Sequence, residues 1–163
     1  MRRISEIRKK IQPRENLRRI LDRLKKQKKT IVFTNGCFDI LHLGHVKAFE
    51  RAKALGDVLV VAINSDASLK KLKGPKRPLV PQFARAQVLA ALEPVDFVTI
   101  FGEQTPAGII AELGPDVLAK GGDYKLSEIV GRESVKRTVR IPLVKGYSTS
   151  ALIKKIIERY GKR

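Results

Sequence analysis

Residues 58–63 read Val-Leu-Val-Val-Ala-Ile, apolar without a break, and this run limits the possible folds more than any other stretch. A strand with one wet face alternates polar and apolar residues; a strand covered on both faces does not. The segment therefore belongs inside a parallel sheet with helices above and below it. Ile31-Val32-Phe33 reads the same way, and the amphipathic chain from about Leu43 to Leu55 supplies the helix between them. The alternation continues through a helix from about Phe83 to Leu92, a strand over Phe97 to Phe101, a helix over Pro106 to Leu113 and a short strand at Val117 to Ala119. A last strand over Val139 to Val144 leads to a closing helix that carries Leu152, Ile153, Ile156 and Ile157. The expected class is α/β: a doubly wound parallel sheet of about five strands with helices on both faces.

Two segments stand outside this alternation. Residues 1–29 are highly charged and place Leu17, Ile20, Leu21 and Leu24 on one helical face after Pro13, which predicts a basic helical extension ahead of a domain over residues 30–163. Its leucines are expected to pack on that domain or on a second copy in a homodimer; contact with RNA or a membrane is the competing reading. Residues 70–81 gather Lys70, Lys71, Lys73, Lys76 and Arg77 among Gly74, Pro75, Pro78 and Pro81. That composition predicts a basic loop and a candidate mobile flap.

Lysine and arginine total 34 against 16 acidic residues, a formal charge of +18, so an anionic partner is expected, either nucleic acid or a phosphorylated small molecule. An ion-paired basic surface of the heat-adapted kind explains part of the same excess. The single cysteine, Cys37, excludes an intrachain disulfide, and two histidines with one cysteine leave no zinc cluster. The basic start lacks a following apolar signal region and no apolar run approaches membrane-spanning length. A cytoplasmic protein with no membrane partner is the expectation.

The chemistry concentrates in Thr34-Asn35-Gly36-Cys37-Phe38-Asp39-Ile40-Leu41-His42-Leu43-Gly44-His45, between the first strand and the first helix. The carboxyl end of a parallel strand opens on the crevice where such sheets bind ligands, and the helix start beyond it offers free N–H groups to phosphate. His42 and His45 are three residues apart, so within a helix they share one face, with Gly44 keeping the approach uncrowded. Imidazole N–H groups there can stabilise charge building on an attacked α-phosphate. At the far end of the chain, Ser148-Thr149-Ser150 suits both a helix cap and a phosphate grip.

These residues, together with Ala62-Ile63-Asn64-Ser65-Asp66, Lys73-Gly74-Pro75-Lys76-Arg77-Pro78, Lys120-Gly121-Gly122-Asp123-Tyr124 and Gly146-Tyr147-Ser148-Thr149, resemble the cytidylyltransferase-like nucleotidyltransferase superfamily. Within it, the span from Thr30 to about Arg159 is similar to the D-glycero-D-manno-heptose 1-phosphate adenylyltransferase branch. The resemblance implies a Rossmann-like fold in which Asn35, Gly36, Cys37, Phe38 and Gly44 bind nucleotide. It places His42, His45 and Lys73 at the reacting phosphates, Asp123 near base or ribose, and Tyr147, Ser148 and Thr149 at the β- and γ-phosphates. Asp39 and Arg85 are the candidates for the phosphate of the second substrate, Arg85 through its planar fork. Mg²⁺ would be bridged by nucleotide phosphates, with no metal ligand from the chain.

The implied reaction moves AMP from ATP to a sugar 1-phosphate, giving an ADP-sugar and pyrophosphate. The sugar-kinase half that often precedes this domain in bifunctional relatives has no counterpart in the charged residues before Thr30, so the transferase is expected to act alone. A stretch between Gly131 and Pro142 that is shorter than usual, and Ser150 in place of threonine or asparagine, leave the sugar open. A cytidylyltransferase or a flavin dinucleotide synthetase is the nearest alternative. A non-catalytic RNA-binding module is more remote, because aromatic residues are sparse and not interleaved for base stacking.

Overall fold

A computed structural model describes residues 2–122 and 125–161. Five parallel strands, β1 (Ile31–Gly36), β2 (Val58–Asn64), β3 (Phe97–Phe101), β4 (Val117–Gly121) and β5 (Arg137–Ile141), form one sheet in the order β3-β2-β1-β4-β5. β2 is buried at every position, as its unbroken apolar run requires. On one face α3 (Leu43–Lys53) and α5 (Gln82–Ala90) cover Val32, Leu59, Val61 and Ile63 with Phe49, Ala52, Ala86 and Leu89. On the other, α2 (Arg14–Lys26) and α6 (Ala107–Leu113) cover Ile31, Phe33, Val60 and Leu118 with Leu17, Leu21, Ile109 and Ile110. The Rossmann-like doubly wound class read from the sequence is the fold observed.

The two helices ahead of β1 are built into this domain. Leu17 and Leu21 are 0% and 1% exposed in the chain's own core, so they offer no leucine face to a second copy, RNA or a membrane. Between α1 (Arg2–Lys9) and α2, the chain pairs with the free edge of β3: Ile11 lies beside Val98, Gln12 N–H donates to Val98 O at 2.9 Å, and Val98 N–H donates to Lys10 O at 2.8 Å. Much of the basic charge here is also engaged. Lys10 donates to Val95 O, Lys25 to Leu113 O, and Arg14 pairs with Glu103 and Glu112.

The first third of the predicted basic loop is helix. Lys70, Lys71 and Lys73 lie on α4 (Asp66–Lys73), because Ser65 caps its start by accepting from Ser68 N–H and Leu69 is fully buried; only from Gly74 onward is the chain irregular. β5 also begins and ends earlier than expected. Pro142 lacks the N–H that would extend the ladder, and residues 142–148 form the approach to α7 (Thr149–Tyr160). Among the described residues no helix is long and apolar enough to cross a membrane.

Candidate active site

The chain leaves the carboxyl end of β1 toward β2 and the carboxyl end of β4 toward β5, so the sheet order reverses between these neighbours. That reversal opens the crevice in which doubly wound sheets take their ligands. The loop from Cys37 to His42 sits above it. Phe38 has φ 46°, a left-handed conformation that is strained for a bulky residue. Its ring folds back over Gly36, where a Cβ would stand only 2.8 Å from Phe38 Cζ. The same ring meets His45 edge-on, with centroids 5.2 Å apart, and Phe49 of the core at 5.1 Å.

His42 is the extended cap of α3, at φ −147° and ψ 169°, and His45 lies in the first turn with its N–H donating to His42 O at 2.9 Å. The two imidazoles stack with centroids 3.7 Å apart and planes 19° from parallel. They meet because the cap residue turns its ring back over the helix start, rather than because both are helical. Gly44 permits this: a Cβ would stand 3.0 Å from His42 Cε1 and Nδ1 and 3.3 Å from Tyr147 Cβ. Burial lowers the pKa of His42, and burial followed by the His42 neighbour lowers that of His45 to about 4. Both rings are neutral at pH 7. Each has a buried Nδ1 without a hydrogen-bond partner among the described residues.

The last helix closes over the same loop. Ser148 Oγ accepts from Ala151 N–H at 3.1 Å, and Thr149 Oγ1 donates to Ile40 O at 3.5 Å. An open groove of about 640 Å³ runs beside them, lined among others by Gly122, Arg140, Leu143, Gly146, Tyr147 and Ser148. Asp123, expected at base or ribose, lies outside the described residues. Cations gather at the loop: burial raises the Cys37 thiol, and Lys73, Arg85, Lys120 and Arg77 oppose that rise. Lys73, exposed at the end of α4, is thus within electrostatic reach of the Cys37 thiol. The thiol stays protonated at pH 7, which suits a binding rather than a nucleophilic position.

Two candidates are bonded within the protein. Arg85 is 1% exposed, and its guanidinium is spent inside the protein. It donates to Val80 O at 2.9 Å, Cys37 O at 2.6 Å and Asn64 O at 2.9 Å, and pairs with Asp66 Oδ1 at 2.7 Å. Asp39 is 3% exposed; its carboxylate accepts from Leu79 N–H and Val80 N–H and pairs with Arg77 at 2.5 Å. Both groups are engaged within the protein. Together they fasten residues 77–80 to the loop after β1, so this part of the predicted flap is tied down. Among the described residues no three His, Cys, Asp or Glu side chains gather to hold a metal.

The family model for cytidylyltransferase-like proteins matches residues 33–155, from within β1 into α7. The chain belongs to the cytidylyltransferase-like family. Membership makes it a transferase of the nucleotidyl kind. Among curated relatives, bifunctional protein HldE of Syntrophotalea carbinolica is 50% identical over 93% of this chain and 32% of that protein. HldE of Nitratiruptor sp. is 55% identical over 87% and 31%, and that of Helicobacter pylori 54% over 86% and 30%. The chain thus spans about a third of the length of these relatives. A solved structure titled as the lipopolysaccharide core biosynthesis protein from Thermoplasma volcanium superposes with a TM-score of 0.63, at 27% identity, over 72% of this chain and 99% of that one.

One residue beside the candidate site escaped the sequence reading. Lys120 Nζ donates to Asn35 Oδ1 at 3.0 Å and to Asn35 O at 3.2 Å, joining the ends of β4 and β1. Burial lowers its pKa. The available signal was a lysine closing an apolar strand just before two glycines, where a solvated surface charge is not expected.

Proposed function

We propose that the chain transfers AMP from ATP to a sugar 1-phosphate, with D-glycero-D-manno-heptose 1-phosphate as the first candidate, giving an ADP-sugar and pyrophosphate. The stacked, neutral pair of His42 and His45 beside the α7 start carries this reading. An oxygen of the acceptor's phosphate attacks the α-phosphorus in line, the new P–O bond forms as the bond to the β-phosphate oxygen breaks, and pyrophosphate leaves with the electron pair. The nucleophile is already ionised, so no general base is required; orientation and charge stabilisation supply the rate.

In this scheme the imidazoles donate to the α-phosphoryl oxygens as charge builds there. Neutral rings suit this role, since each retains one N–H without adding a second positive charge to a 3.7 Å stack. Ser148, Thr149 and the free N–H groups opening α7 hold the β- and γ-phosphates, while Lys73 neutralises the departing pyrophosphate. The carboxylate of Asp39 is already engaged by Leu79 N–H, Val80 N–H and Arg77, which in this scheme leaves Mg²⁺ to the nucleotide. The ion would enter on triphosphate oxygens and supply charge neutralisation there.

Support for the adenylyl and heptose details comes from similarity to proteins named bifunctional HldE, which are three times as long, and from the lipopolysaccharide core title of the structural neighbour. A cytoplasmic setting belongs to the same proposal. The deciding measurement is pyrophosphate release with ATP or CTP against a panel of phosphorylated acceptors. The proposal expects ATP with a heptose 1-phosphate to turn over fastest, with an ADP-sugar seen by mass spectrometry. Turnover confined to CTP and a polyol or amino-alcohol phosphate would move the chain to another branch of the family.

A further inference from the structure

Two polar side chains that the transfer scheme does not use lie buried beside the loop after β1: Asn64, the last residue of β2, is 4% exposed, and Ser68, in the first turn of α4, is 2% exposed. They form a line in which every proton has one place. The backbone carbonyl of Glu103 can only accept, so Ser68 Oγ, 2.9 Å away, donates to it. Ser68 Oγ then accepts from Asn64 Nδ2 at 3.0 Å. With its nitrogen turned to Ser68, Asn64 presents Oδ1 to Cys37, and the thiol donates to it across 3.8 Å. The line runs from the loop after β3 to the loop after β1 and ends on a protonated sulfur. Cys37 is also held at a second atom: its carbonyl accepts from Arg85 Nη1 at 2.6 Å, while Nη2 of the same guanidinium donates to the Asn64 carbonyl at 2.9 Å.

We propose that Asn64 is a positioning residue for the nucleotide loop: through the Cys37 thiol it sets the direction in which the N–H groups of Cys37 and Phe38 meet the triphosphate. The inference rests on the transferase reading above. The residue after Cys37 requires such a hold. Phe38 sits at φ 46°, and a strained backbone persists only where its surroundings over-determine it. Thiol and carbonyl lie on either side of the Cys37 Cα, so bonds to both fix the rotation of the residue that leads into the strained turn. Ser68 keeps the Asn64 amide from turning over. Reversed, Nδ2 would face a sulfur that carries its own proton, and Oδ1 would face a hydroxyl whose proton is committed to Glu103. The sulfur must keep its proton to donate, and burial, which raises the thiol's pKa, keeps it there at pH 7. The single cysteine thereby has a use that needs no nucleophilic chemistry.

A double-mutant cycle on nucleotide binding, read by calorimetry with α,β-methylene ATP, tests the assignment. Cys37→Ala and Asn64→Ala should each weaken binding by about three- to tenfold, the scale of one modest hydrogen bond. The variant carrying both changes should bind no more weakly than the worse single one, because Asn64 acts through the thiol. If Asn64→Ala does not fold, Ser68→Ala takes its place in the cycle, since it frees the amide to turn without altering Asn64. Losses that multiply in the double variant would remove the inference. So would a lowered denaturation midpoint in Asn64→Ala with nucleotide affinity unchanged, which would leave Asn64 a structural residue. In either case the transferase reading stands on binding and pyrophosphate release by the unaltered chain. Absence of both from the unaltered chain would remove that reading and this inference together.

Discussion

His42 and His45 stack too closely for both to hold a proton at low cost, and their burial already disfavours the first. The folded chain keeps His45 at about 4 against an ordinary 6.5, so between those values the unfolded chain binds more protons and stability falls as pH is lowered. Chemical denaturation at pH 7 and pH 5 should show this loss, and His45→Gln should reduce it; an unchanged slope would mean that the ring is not held neutral. In catalysis His45→Asn is expected to lower kcat by about a hundred- to a thousandfold, the usual effect of removing one transition-state donor, with ATP affinity altered by no more than about threefold. Calorimetry with a non-hydrolysable ATP analogue separates the two quantities. Equal losses in binding and turnover would deny the pair its transition-state role.

The loops after β1 and β2, the start of α4 and residues 77–80 are held in one arrangement by two buried ions. Arg85 joins the Cys37, Asn64 and Val80 carbonyls to Asp66, and Asp39 draws in Arg77, Leu79 and Val80. Arg85→Met leaves three carbonyls and a carboxylate without this donor and should cost about 3–5 kcal/mol of stability, read from the denaturation midpoint. A variant that kept full stability and lost only acceptor affinity would return Arg85 to substrate binding. The sequence placed Arg85 beside a basic loop and suggested a phosphate clamp because a planar fork serves anions and carbonyls equally well. Which acceptors lie within reach depends on chain segments 21 and 48 residues away, and local pattern carries no record of them. The same distance hid Lys120, whose Asn35 partner is 85 residues off.

At the scale of the whole molecule, the amino-terminal helices complete the core: Leu17 and Leu21 fill one face of the sheet and the Ile11 segment pairs with the β3 edge. Leu17→Ala should therefore destabilise the entire chain by about 2–5 kcal/mol in a single cooperative transition. Loss of the first helices alone, with the remaining domain unaffected, would show them to be separable. Unbroken apolar runs and their helical spacers settled the α/β class, the parallel sheet and the seat of the His42–His45 motif, because burial on both faces leaves a direct trace in composition. Helical spacing also identified Leu17 and Leu21 as buried, though not their partner, since an amphipathic face reports only that something covers it. Tertiary structure alone decided that the cover is this chain's own sheet, that Asp39 and Arg85 bond to loop groups of this chain, and that Lys120 reaches Asn35. A charged side chain acts according to the groups within a few ångströms of it, and those are fixed only when distant strands come together.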